Sequence, residues 1–73
     1  MVVLVKWRRL RSWSQADVGR RLGGLAQPVI STHESSKGTP TLETLQRYAS
    51  LYGVSLDELL AGPTMVGQWA TRG

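Results

Sequence analysis

The chain has no cysteine and no phenylalanine, one histidine and only five acidic residues in 73. Without cysteine there is no disulfide and no thiolate metal site, which fits a reducing, cytoplasmic setting. One histidine and five scattered acids assemble no metal cluster, so neither a metal nor another cofactor is expected. Asp57 and Glu58 are sequence neighbours, and on a helix they point in different directions, which makes them a poor acid/base pair. No glycine-rich phosphate loop follows a strand pattern. Apolar residues recur at three and four, and the two-residue alternation of strands is missing over any length. Long apolar runs are missing too: Met1 to Val5 is interrupted by Lys6, too soon for a signal peptide or a membrane span. The expectation is no enzyme, no membrane partner and no small-molecule ligand. A single domain of this size buries only about 60% of its unfolded surface, and no effector domain is expected beside it.

What is present is positive charge and short helical periods. Nine Lys/Arg against five Asp/Glu give a net charge of +4, which favours an anionic partner, nucleic acid first. A first helix is expected over about Val3–Ser12, with Leu4, Trp7 and Leu10 facing the core and Lys6, Arg8, Arg9 and Arg11 elsewhere. Trp13 then turns inward. Ser14 with Asp17 is a near match to a capping box opening a second helix, and Val18 and Leu22 share one face of it. Gly19 between them implies that another backbone crosses there, because a glycine in a helix costs about 1 kcal/mol relative to alanine. Gly23-Gly24 ends that helix. Thr41 or Pro40 opens a fourth helix, with Leu42, Leu45, Tyr48, Ala49 and Tyr52 on one stripe, and Gly53 stops it. Ser55 and Glu58 form a capping box for a fifth helix, Leu56 to Ala61.

Between the second and fourth helices lies Gln-Pro-Val-Ile-Ser-Thr-His-Glu, residues 27–34. Pro28 suits only the first turn of a helix, so the third helix starts at or just after Gln27 and runs to about residue 36. Ile30 is its apolar anchor. Gln27, Val29 and Thr32 cannot share the face that buries Ile30, and together they carry the amide donors and small groups that read base edges.

Taken together, Leu4, Trp7-Arg8, Trp13-Ser14-Gln15, Val18, Leu22-Gly23, Gln27, Ile30-Ser31, Glu34, Lys37, Pro40 to Leu45 and Gly53 to Leu60 resemble the phage repressor/Cro-type helix-turn-helix family, often called XRE-like. The resemblance covers about residues 4 to 62. It implies an all-α fold of five short helices, a lambda-repressor-like DNA-binding domain whose helix-turn-helix is formed by helices two and three. Residues 1–63 would be that domain, and 64–73 a tail that is either disordered or part of a dimer contact. The turn is one residue longer than the family pattern, with Gly24 as the inserted residue. His33 then takes a position resembling a buried Leu or Ile. Ala26 stands where a capping Ser or Thr is usual, and Ser36 where a Gly is usual.

The same resemblance implies roles. The function expected is sequence-specific double-stranded DNA binding by a transcriptional regulator, as a homodimer on a near-palindrome and associated with the nucleoid. Gln27 would read adenine, with Pro28, Val29 and Thr32 beside it on the groove floor. Ser14 and Gln15 would hold phosphate on one side of the groove, and Ser35, Lys37 and Thr39 on the other. Arg8 and Glu34 would form a structural ion pair. Leu51, Leu56, Leu60 and Trp69 are the dimer candidates, with Met65 and Val66 near them, although Trp69 could instead cap its own subunit. A protein-interaction module or antitoxin-type partner using the same fold is the alternative.

Overall fold

A computed structural model describes residues 1–35 and 38–63. Five helices follow one another: α1 Val2–Leu10, α2 Gln15–Arg21, α3 Gln27–Glu34, α4 Leu42–Tyr52 and α5 Leu56–Ala61. There is no strand among the described residues, as the three-and-four spacing requires. Each boundary has a local cause. Ser14 and Ser55 each accept from the backbone N–H three residues on, and Asp17 and Glu58 return the bond to the cap's own N–H, so both capping boxes close. Thr41 accepts from the Thr44 N–H to open α4. Gly53 closes it at φ 71°, a left-handed geometry that glycine adopts without steric cost.

The core is Leu4, Trp7, Val18, Leu22, Ile30, Leu45, Tyr48, Ala49, Tyr52 and Leu59. Tyr52 sits at its aromatic centre, stacked between Trp7 at 5.9 Å and Trp13 at 5.8 Å. Its hydroxyl is buried with no hydrogen-bond partner among the described residues. Burial, and then the Glu34 charge, push that phenol up to about 12. Two long-range bonds tie helix ends to this core. The Trp7 indole Nε1 donates to the Leu59 carbonyl at 2.9 Å, and Arg11 Nη2 donates to the Tyr52 carbonyl at 2.8 Å.

Several expectations need correction. α1 stops at Leu10 instead of Ser12, because Arg11 turns and Ser12 takes φ 57° to send Trp13 back over Tyr52. Leu10 is not a core residue; it is 50% exposed. A strict three-residue step slips about 60° backwards each time on a helix, so Leu10 has left the face that Leu4 buries. Leu42 is 60% exposed for a related reason: at the first position of α4 it lies about 70° off the centre of the Leu45/Tyr48/Ala49/Tyr52 stripe. α3 ends at Glu34, two residues early, with Ser35 extended at φ −79°, ψ 166°. His33 is half-buried rather than a core residue. Its Nδ1 lies 2.9 Å from the Tyr48 hydroxyl, and burial lowers its pKa, with the N-terminal charge a second cause.

Between α2 and α3 the backbone turns through Gly23 at φ 100° and Gly24 at φ 91°. Two positive-φ residues in succession accommodate the long turn, and glycine tolerates both. The Gly24 and Leu25 N–H groups then both donate to the Gly19 carbonyl, at 3.0 and 2.9 Å. A Cβ on Gly19 would lie 2.1 Å from the Leu25 carbonyl oxygen. Gly19 is therefore the place where the turn crosses over α2, as its position inside a helix implied. Gly19→Ala should destabilise the fold by about 1–3 kcal/mol, the usual range for overpacking, instead of adding about 1 kcal/mol of helix propensity. Urea unfolding of the two proteins measures this, and an equally stable variant would contradict the crossing.

Candidate nucleic-acid interface

α3 presents two faces because its side chains are spaced at about 100°. Ile30 and Glu34 point into the protein, at 0% and 8% exposure. Gln27, Pro28, Val29 and Thr32 are all exposed, as is Ser31. Ser31 belongs to the motif but was given no groove-facing role, although the period that places Thr32 outside places Ser31 beside it. Thr32 Oγ1 donates to the Pro28 carbonyl at 3.0 Å. That bond steadies the hydroxyl and turns the methyl group elsewhere. A Cβ on Gly38 would lie 2.9 Å from Thr32 Cγ2, so the chain leaving α3 passes close behind that methyl. Pro28 lies in the first turn, and Ala26 caps α3 with no side-chain bond.

Gln15, the first residue of α2, lies beside Gln27, the first residue of α3. Gln27 Nε2 donates to Gln15 Oε1. Gln15 Nε2 in turn donates to Glu34 Oε1 at 3.0 Å. Glu34 also holds Arg8: Arg8 Nε donates to Oε2 at 2.7 Å and Nη2 to Oε1 at 3.1 Å. The remaining Arg8 nitrogen, Nη1, donates to the Trp13 carbonyl at 2.9 Å. The side chains of Arg8 and Glu34 are 15% and 5% exposed, so the pair is a nearly buried two-bond fork. The Glu34 carboxylate raises the Arg8 pKa above its ordinary value, chiefly through this hydrogen bond. The sequence placed Arg8 and Glu34 together. It carried no sign that Gln15 joins them, since that contact depends on how α2 crosses α3.

The remaining candidates divide. Ser14 is exposed at the start of α2, where its hydroxyl accepts from the Asp17 N–H. The Ser14 backbone N–H donates to the Asp17 carboxylate at 2.9 Å, and this bond first, with the Ser14 side chain second, keeps the Asp17 pKa low. Asp17 also pairs with Arg20. Ser35, just past α3, donates through Oγ to the Thr32 carbonyl at 2.8 Å, and Thr39 is exposed further on. Lys37 and Trp69 lie outside the described residues, as do Met65 and Val66. Of the remaining dimer candidates, Leu51 and Leu56 are half-buried against the core, whereas Leu60 is 45% exposed. No group of acids and histidines that could hold a metal occurs among the described residues. No helix among them is long and apolar enough to cross a membrane.

Two short helices joined by a glycine turn, the second with one face buried and one face of amide, hydroxyl and small groups, define a helix-turn-helix. The chain belongs to the helix-turn-helix family: the family model matches residues 4–59. It is similar to antitoxin HigA1 of Mycobacterium tuberculosis (strain CDC 1551 / Oshkosh), 37% identical over 85% of this chain and 41% of that one. It is also similar to the HTH-type transcriptional regulator DdrOP3 of Deinococcus deserti, 42% identical over 81% of this chain and 50% of that one. A third relative is the HTH-type transcriptional regulator PuuR of Escherichia coli (strain K12), 43% identical over 58% of this chain and 23% of that one. The chain thus spans half or less of the length of these curated relatives. No solved structure matches it.

Removing one member of the buried pair strands the other. Arg8→Met should cost on the order of 3 kcal/mol, while Arg8→Met with Glu34→Leu should recover part of the loss. A double-mutant cycle by thermal unfolding measures the coupling, and additive losses would contradict a bonded pair.

Proposed function

We propose that this chain binds double-stranded DNA in a sequence-specific manner and regulates transcription, with α3 in the major groove. The observation that carries the reading is the exposed face of α3, where Gln27, Pro28, Val29 and Thr32 stand clear of the core with Gln15 of α2 bonded to Gln27. A glutamine amide can pair with adenine N6 and N7 together, and Val29 or the neighbouring Pro28 can meet a thymine methyl. Ser14 and Gln15 on one side, and Ser35, Lys37 and Thr39 on the other, would hold the phosphates. The net charge of +4 supplies the non-specific attraction.

One domain reads about half a turn of groove, which is too little to select one site in a genome. The proposal therefore includes a twofold homodimer on a near-palindrome, with half-site centres about 34 Å apart. Exposed Leu60, Leu56 one turn before it on α5 and half-buried Leu51 of α4 are the described residues that would contribute to the contact. A second reading, a protein partner of antitoxin type, is favoured by the 37% identity to antitoxin HigA1.

Selection of binding sites from random DNA tests the main reading. Gln27→Ala should relax the preference at one base pair per half-site, at about 1–3 kcal/mol. Binding by a dimer should weaken by roughly three to five orders of magnitude between 50 and 200 mM salt if six to ten phosphates are contacted. An unchanged selected site would sink the base-reading role. Sedimentation equilibrium with and without the selected site tests assembly: Leu60→Arg should weaken the dimer, and a protein that stays monomeric even on DNA would contradict it.

A further inference from the structure

The ion pair and the two glutamines form one chain of hydrogen bonds with a direction. Arg8 can only donate, and the Glu34 carboxylate can only accept. A glutamine amide has one end of each kind. Glu34 Oε1 therefore draws the Gln15 NH2 group towards itself, which leaves Gln15 Oε1 pointing the other way. That oxygen accepts from Gln27 Nε2, which leaves Gln27 with one free N–H and its carbonyl oxygen. One donor and one acceptor side by side match adenine, which accepts at N7 and donates at N6. With its amide turned over, Gln27 would bond to Gln15 through its oxygen and face the groove with donor and acceptor in the reverse order. The acceptor would then meet adenine N7 and the donor the N6 amino group, and the adenine pairing would be lost.

We infer that Glu34 is a positioning residue for base recognition: acting through Gln15, it orients the Gln27 amide so that its free donor and acceptor face the groove in the order that matches adenine N7 and N6. The inference rests on the DNA-binding reading above. It departs from the expectation that Gln15 serves only as a phosphate clamp, in which case its loss would weaken all sequences alike. Glu34 is suited to the task because it is nearly buried and gripped at both oxygens by Arg8, so it cannot swing away. The link spans three helices, α1 through Arg8, α2 through Gln15 and α3 through Glu34 and Gln27.

The test is site selection from random DNA with the full chain and three variants. Gln27→Ala identifies the base pair that Gln27 reads. Gln15→Met keeps the side-chain length, leaves Arg8 and Glu34 paired, and removes the link between Glu34 and Gln27. It should lower the adenine preference at that one base pair by roughly five- to 150-fold, the discrimination expected of one bidentate contact, in a protein that still unfolds cooperatively but at a lower temperature, since Glu34 loses one of its three N–H partners. Glu34→Gln must give its oxygen to Arg8, so its NH2 faces Gln15, and both glutamines turn over. At the same base pair its preference for adenine should be lost. If Glu34→Gln does not fold, Gln15→Met decides alone. A Gln15→Met protein that binds every sequence more weakly by one common factor, with the adenine preference intact, overturns the relay and leaves Gln27 as the base reader. A Gln27→Ala selection identical to the parent's overturns both.

Discussion

The buried carboxylate of Glu34 is the constraint on which most of this molecule depends. A charge at 5% side-chain exposure is costly to hold unless its lone pairs are filled. Three N–H groups fill them: two from Arg8 and one from Gln15. Satisfying them brings α1, α2 and α3 to one point, and Arg8 uses its last nitrogen to hold the link between α1 and α2 at the Trp13 carbonyl. The ion pair therefore does more than join two helices. It places the starts of α2 and α3 side by side, which is the relation a helix-turn-helix needs between its two groove-facing ends.

Gly19 constrains the other end of the same unit. Its missing side chain lets the Leu25 carbonyl pass where a Cβ would stand. Its carbonyl then receives the Gly24 and Leu25 N–H groups, so a long turn rich in positive-φ residues is held by bonds to α2 itself. The contact at Gly19 and the contact at Glu34 together determine how α3 lies across α2. The aromatic column of Trp7, Tyr52 and Trp13 supports this pair from below. Arg21 lies over the outer face of Trp13 at 4.3 Å, a cation–π contact that completes the stack.

Helix number, order and the starts of α2 to α5 were legible because each of those starts carries a local signal: Ser14 with Asp17, Pro28 in the first turn of α3, Thr41, and Ser55 with Glu58. The crossing at Gly19 was legible too, since a glycine between two core positions of a helix marks a close backbone approach. The misjudged residues share one cause. Leu10 and Leu42 lie at helix ends, where a three-residue step has drifted from the buried face. The end of α3 is set by the extended Ser35, two residues before the expected end near residue 36. At the candidate site, the exposed face of α3 followed from its period. Gln15's bond to Glu34 did not, because it exists only once α2 and α3 cross, and no spacing along the chain encodes that angle.

The most direct check on this account is the behaviour of the Gln15 side-chain amide in the free protein in solution. Bonded at its nitrogen to a buried carboxylate and at its oxygen to Gln27, it should be as rigid as the backbone, with an NMR order parameter near about 0.85, and its hydrogens should exchange slowly. The Gln15 amide in an Arg8→Met protein should be looser. An amide in the parent protein that is mobile, with an order parameter below about 0.6, and that exchanges as fast as an exposed glutamine such as Gln46, would contradict the claim that Glu34 governs the reading face.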